Sequence, residues 1–255
     1  MKTPCLWFLL FLTINLLLLA QVSFSQEAIP VSVSNFKEDM VYLWQSSTRP
    51  SQAGLIKAIS TGAITTFLMA LDEDIRHEVK ENDSHALEVL ERIFEPMGRW
   101  EIQGLGGGAL LGLGYLNKDK KLIESSLTGL EAYAISGGLV EIIKLAAGRE
   151  RPYEEKGAGA FFKGGVSFPS GHVARSFAWA ATFSEYYHAS KIIPLASYSL
   201  ATLVSLSRLE SDRHWASDLF FGACLGFGVG KGLSHLHLSP ILTGQTIGLS
   251  TGVKF

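Results

Sequence analysis

The chain has 255 residues, 26 of them glycine, which suits one domain with a sizeable buried core and excludes a second large one. Its 22 basic and 24 acidic side chains give a formal net charge of -2, so no global field points to nucleic acid or to an anionic surface. Recognition of a charged ligand must therefore be local.

The first residues carry a targeting pattern. Lys2 precedes a leucine-rich apolar run from Cys5 to Ala20, and small residues follow at Ser23 and Ser25, so residues 1–25 read as a signal peptide cleaved after Ser25. The alternative is an uncleaved anchor, because the run approaches the roughly 18 residues at which a span becomes plausible. Either way the remainder is expected in the periplasm or cell envelope. Loss of Cys5 leaves Cys224 alone, in the apolar run from Phe220 to Leu225. No intramolecular disulfide can then form, and Cys224 reads as a structural thiol.

Helical periodicity is expected over residues 55–71, 86–94, 105–116, 127–147, 172–188, 192–206 and 215–233, which predicts one all-α bundle across residues 26–239. Between residues 72 and 83 stand six acids (Asp72, Glu73, Asp74, Glu78, Glu81 and Asp83), without repeated ligand spacing; a solvated surface turn is expected. Gly104, Gly106, Gly107 and Gly108 lack the Gly-Lys-Ser/Thr of a nucleotide loop and are read as close helix packing. After Pro240, Ile247, Leu249, Val253 and Phe255 alternate, so residues 240–255 are expected to be a short strand or hairpin. The longest uncharged apolar stretches after the leader, 192–206 and 219–230, fall short of the roughly 20 residues of a span, which favours a soluble or peripherally attached exported domain.

Three reactive clusters lie in the C-terminal half. In the first, Lys144 and Arg151-Pro152 end an apolar helix; Gly148 stops the helix and Pro152 stiffens the chain, so two cations can be aimed at one point. Arg offers a planar fork for phosphate oxygens and Lys a compact charge. In the second, Pro169-Ser170-Gly171-His172 opens a helix: Ser170 suits the N-cap, Gly171 lets an anion approach free backbone N–H groups, and His172 could protonate a leaving alkoxide. In the third, Ser207-Arg208 is followed by His214 and, four residues on, by Asp218. That spacing puts His214 and Asp218 on one helix face, where the carboxylate would accept the imidazole Nδ1–H and leave Nε2 as a nucleophile. Each cluster alone is weak; their order and completeness together carry the reading.

These clusters, KLAAGRERP, PSGH and SRLESDRHWASD, resemble the signature of the type 2 phosphatidic acid phosphatase and vanadium haloperoxidase superfamily, which includes bacterial exported acid phosphatases. The resemblance covers residues 141–230 and says little about residues 26–120. It implies that Lys144, Arg151 and Arg208 hold the non-bridging phosphate oxygens, helped by Ser170 and the Gly171 N–H. His214 would then be the nucleophile, Asp218 its orienting partner and His172 the general acid. The implied reaction is hydrolysis of a phosphate monoester or pyrophosphate, such as a lipid phosphate, through a phosphohistidine. Three cations would do the work of a metal, so neither metal nor other cofactor is expected. The alternatives are a vanadate-dependent haloperoxidase and a non-catalytic anion-binding envelope protein. The expected partner is the phosphorylated substrate, with no nucleic acid and with membrane-surface association left open. Arg149, Glu150 and Arg213 are read as solvated charges, Trp179, Tyr186 and Tyr187 as core or interface, and His235 and His237 as non-ligands.

Overall fold

The computed structural model describes residues 36–82 and 84–238; the expected signal peptide and the expected C-terminal strand lie outside the described residues. Every regular element described is helical. In chain order they are α1 (Phe36–Thr48), α2 (Gln52–Glu81), α3 (His85–Phe94), a 3-10 turn (Pro96–Gly98), α4 (Trp100–Asn117) and α5 (Lys120–Ala147). A second 3-10 turn (Pro152–Glu154), α6 (Gly171–Tyr186), α7 (Ile192–Glu210) and α8 (Ala216–Leu238) follow. The all-α expectation holds, and each periodic segment corresponds to one of α2 to α8. Local chemistry sets several ends. Ser51 and Asp119 accept the Gly54 and Leu122 N–H groups at 3.1 and 3.0 Å, and Gly148 closes α5 in the left-handed conformation.

The centre of the bundle is α6. Val173, Phe177 and Ala180 pack with Ala201 of α7 and with Leu219 and Ala223 of α8. Ala178 meets Ala132 and Ile135 of α5 and Val229 and Leu233 of α8. Gly222, Gly226 and Gly230 recur once per turn of α8 and face the backbone of α6. A methyl group at Gly226 would overlap the Ala174 carbonyl, so the two helices can lie this close only along a glycine seam. The glycine run of α4 packs closely at Gly107, which meets the Trp179 ring and Leu130. Tyr186 is buried as expected. His235 and His237 both lie on α8, where a separation of two residues turns them apart.

Two expectations are corrected. Residues 72–81 form the last turns of α2 rather than a surface turn, because Asp72 is buried and bound inside the bundle instead of solvated. Uncharged stretches favour a soluble or peripheral domain, but they understate helices whose charges cluster at their ends. Helices α2, α7 and α8, with 30, 19 and 23 residues, are long and apolar enough to cross a membrane. Along α2 the usual amphipathic sense is reversed. Its buried residues are Thr65 and Asp72, seven apart on one face, while Leu55, Ile56, Ile59 and Phe67 are exposed.

Candidate active site

The packing of α6 between α5, α7 and α8 brings the end of α5, the start of α6, the end of α7 and the start of α8 to one end of the bundle. These are the four places where the motifs lie. Lys144 stands on the last turn of α5 with Nζ 3.1 Å from Glu141 Oε1. Beyond the cap, the Arg151 N–H donates to Glu154 at 2.8 Å, which anchors the backbone of Arg151. Ser170 occupies the N-cap of α6, but its hydroxyl caps nothing: Ser170 Oγ is buried without a partner. The Ser170 N–H donates to the Asp218 carbonyl at 3.1 Å, tying the second motif to the third.

His214 lies between α7 and α8 with 3 % of its side chain exposed. Its Nδ1 is 2.8 Å from the Ser167 carbonyl oxygen and 3.7 Å from Asp218 Oδ2. A carbonyl can only accept, so Nδ1 carries the proton and Nε2 keeps a lone pair. The tautomer is the expected one, but the partner that fixes it is a backbone carbonyl 47 residues away rather than the carboxylate on the same helix. Asp218 is committed elsewhere: it accepts from Arg149 Nη1 and Ser167 Oγ, each at 2.5 Å, and from the Trp215 N–H at 2.9 Å. It supports the imidazole as a nearby charge and through Ser167.

Sequence reasoning missed the network behind Asp218. Arg149, expected to be solvated, is 0 % exposed and bridges Asp218 to Asp72, which accepts from Arg149 Nη2 at 2.7 Å and from Ser217 Oγ at 2.5 Å. Its guanidinium also donates to the Ala158 carbonyl, so the buried charge is fully engaged. Glu150 is buried too and pairs with Lys156 at 2.8 Å, whereas Arg213 is exposed as expected. One faint signal for Asp72 existed, its heptad spacing from Thr65 at the end of an apolar run. Arg149 had none: Arg149 and Arg151 stand two residues apart and look alike locally.

Arg175, one turn into α6, is a further cation beside the motifs. Its Nη1 and Lys144 Nζ both crowd the open side of Gly171. The cations mark the histidines. Burial, then Arg208, His214, Arg175 and Lys144, push the His172 pKa down to about 2. Burial pushes His214 down to about 4 against the pull of Asp218. Both rings are therefore neutral near pH 7. Four polar atoms from the three motifs, Arg151 Nε, Ser170 Oγ, His172 Nε2 and Arg208 Nε, are buried without a protein partner. Such groups are costly unless a ligand engages them.

Near the C-terminal end of α8, ligand atoms of Asp39, Glu131 and His237 lie within 4.8 Å of one another. The His237 ring also lies 2.8 Å from Thr128 Oγ1 through Nδ1 and 3.3 Å from Asp39 Oδ2 through Nε2, an arrangement that the bundle's own hydrogen bonds explain.

Comparison with known proteins places this geometry. The family model described as PAP2 superfamily matches residues 127–240. Lipid A 1-phosphatase of Porphyromonas gingivalis is 37% identical over 127 residues, covering 48% of this chain and 26% of that protein. A PA-phosphatase related-family protein of Dictyostelium discoideum is 28% identical over 148 residues, covering 49% of this chain and 54% of that one. The chain thus spans a quarter to about half of the length of these curated relatives. Among solved structures, a transmembrane PAP2 type phosphatidylglycerolphosphate phosphatase from Bacillus subtilis superposes with a TM-score of 0.54, covering 71% of this chain and 95% of that chain at 19% identity. That likeness is one of fold. All three motifs fall within the matched segment, and over residues 127–240 the chain is similar to the PAP2 superfamily.

Proposed function

We propose that this chain is a membrane-associated lipid phosphate phosphatase that transfers a phosphoryl group to His214 and then to water without a metal. The observation that carries the reading is that four buried polar atoms, from motifs brought to one end of the bundle, lack a hydrogen-bond partner, since a tetrahedral anion offers acceptors to the Arg151, Arg208 and Ser170 donors at once. Lys144 and the Gly171 N–H complete the cradle. His214 Nε2 attacks phosphorus in line, forming the N–P bond as the ester oxygen leaves, and Asp218 stabilises the positive charge that develops on the ring. His172 gives its proton to the leaving oxygen. With a pKa of about 2 in the free site it is neutral, and the arrival of a doubly negative phosphate is what raises its proton affinity. Water then attacks the phosphohistidine, and His172 takes its proton.

The lipid part of the reading rests on the reversed polarity of α2, on the span-length helices α7 and α8, and on the name of the 37% identical relative, a lipid A phosphatase. The expected export signal would put the motif-bearing end in the cell envelope.

The test is phosphate release by the full chain in detergent and excess EDTA, from an aryl phosphate and from phosphatidate or lipid A micelles, with His214→Ala alongside. Turnover of lipid that persists in EDTA and disappears in the variant is expected. Turnover retained by His214→Ala would overturn the mechanism, and a strong preference for the aryl ester would overturn the lipid assignment.

A further inference from the structure

The segment joining α3 to α4 reaches the cradle, although it lies outside the three motifs and outside the family match. The turn Pro96–Gly98 packs on the second motif: Gly98 is buried, and a side chain there would overlap the His172 ring and Val204. That packing holds the preceding residue, Glu95, at the site. Its Oε1 is 3.2 Å from Arg208 Nη1 and 3.9 Å from His172 Nε2, while its Oε2 is 3.0 Å from Arg99 Nη2. The two arginines differ in setting. The Arg208 side chain is 7 % exposed and belongs to the cradle, and the Arg99 side chain, 56 % exposed, faces outward.

We propose that Glu95 is a built-in competitor for the phosphate cradle, occupying Arg208 in the resting site and passing to Arg99 when a phosphate group binds. The proposal rests on the phosphate reading above. A carboxylate offers a guanidinium the same pair of acceptor oxygens that phosphate does, so it satisfies a buried cation that would otherwise be unpaired. It cannot stay once a doubly negative phosphate arrives within a few ångströms, because like charges in a partly buried site repel strongly. Arg99, one helical turn along and already bonded, supplies the second position.

The consequence is a lower affinity for every phosphate. Every phosphate anion, including the inorganic product, must displace Glu95 and binds more weakly by the same factor. An ester whose remainder makes its own contacts offsets that loss, whereas free phosphate cannot. The site would then release the inorganic product readily.

The experiment measures inhibition by vanadate and by inorganic phosphate for the full chain in detergent, for Glu95→Gln, for Arg99→Ala and for the double variant. Glu95→Gln is expected to tighten both inhibitors about tenfold, the factor for a site that is competent about one-tenth of the time. Arg99→Ala is expected to weaken them, and that effect should vanish in the Glu95→Gln background, a dependence that loss of packing would not produce. Unchanged or weaker inhibition of Glu95→Gln, with the wild type inhibited normally, overturns the assignment of Glu95 alone. Vanadate and phosphate that inhibit neither the wild type nor any variant remove the cradle, and this proposal with it.

Discussion

Residues 36–117 and residues 120–238 bury opposite things. In the second region every buried apolar side chain of the described structure is found, from Ala132 to Leu233. In the first, the buried positions are Asp39, Thr65, Asp72 and the glycines 98, 107 and 114, while Trp44, Ile59, Phe67, Trp100 and Leu105 are exposed. Apart from Leu43, which packs on the core, the first region therefore joins the bundle through polar groups and glycine contacts and presents most of its large apolar side chains outward, as helices in lipid do. Its contribution to the site follows from that contrast: it delivers two carboxylates, Asp72 behind Asp218 and Glu95 in front of Arg208.

The sharpest way to separate the regions is to remove chemistry from one and support from the other. His214→Ala is expected to lower kcat by about 10⁴-fold or more with the fold retained, read by phosphate release and by circular dichroism. Asp72→Ala leaves Arg149 with an unmatched buried charge and is expected to cost about 3–5 kcal/mol, read as a lower unfolding midpoint in detergent. An unchanged midpoint would mean that α2 is not locked to the site. Lys144→Ala or Arg208→Ala, each removing one cradle cation, is expected to lower kcat/KM about 10²–10³-fold and to raise the vanadate inhibition constant.

Smaller effects sharpen the same contrast. The folded His214 titrates at about 4 and the unfolded side chain near its usual value of about 6.5. Between these values the unfolded state binds the extra proton, so stability falls as pH drops through that window. The slope should be shallower in His214→Ala, measured by unfolding midpoints from pH 7 to 4, and a wild-type slope retained by the variant would reject the buried neutral ring. For turnover, kcat/KM should hold on the acid side until pH approaches about 4, where His214 in the free site takes up its proton. Smallest of all, Arg76→Ala breaks the bidentate pair with Asp212, at 2.7 Å for both bonds, and is expected to cost about 1 kcal/mol or less, because both side chains keep some access to water.

The helices were readable from hydrophobic period because period is a local property, and the motif residues were readable because their spacings are short. Lys144, Arg151, Ser170, His172, Arg208, His214 and Asp218 all stand at one end of the bundle. Reasoning from spacing went astray where an interaction had to choose among distant partners. The four-residue step from His214 to Asp218 suggested a direct hydrogen bond, but the Ser167 carbonyl takes the Nδ1 proton and Arg149 takes the carboxylate. Arg149 and Asp72, 77 residues apart, looked like solvated charges because no local feature announces a partner across the bundle.

By itself, the sequence determined the all-α class, the helices that bear the motifs and the set of motif residues that meet at one end of the bundle, since periodicity and short spacing act within a few turns of chain. Only the tertiary structure decided which charges are buried, which face of α2 is polar, and that Glu95 stands against Arg208. Those are outcomes of long-range packing, in which the cost of burying an unpaired charge selects partners that chain distance does not specify.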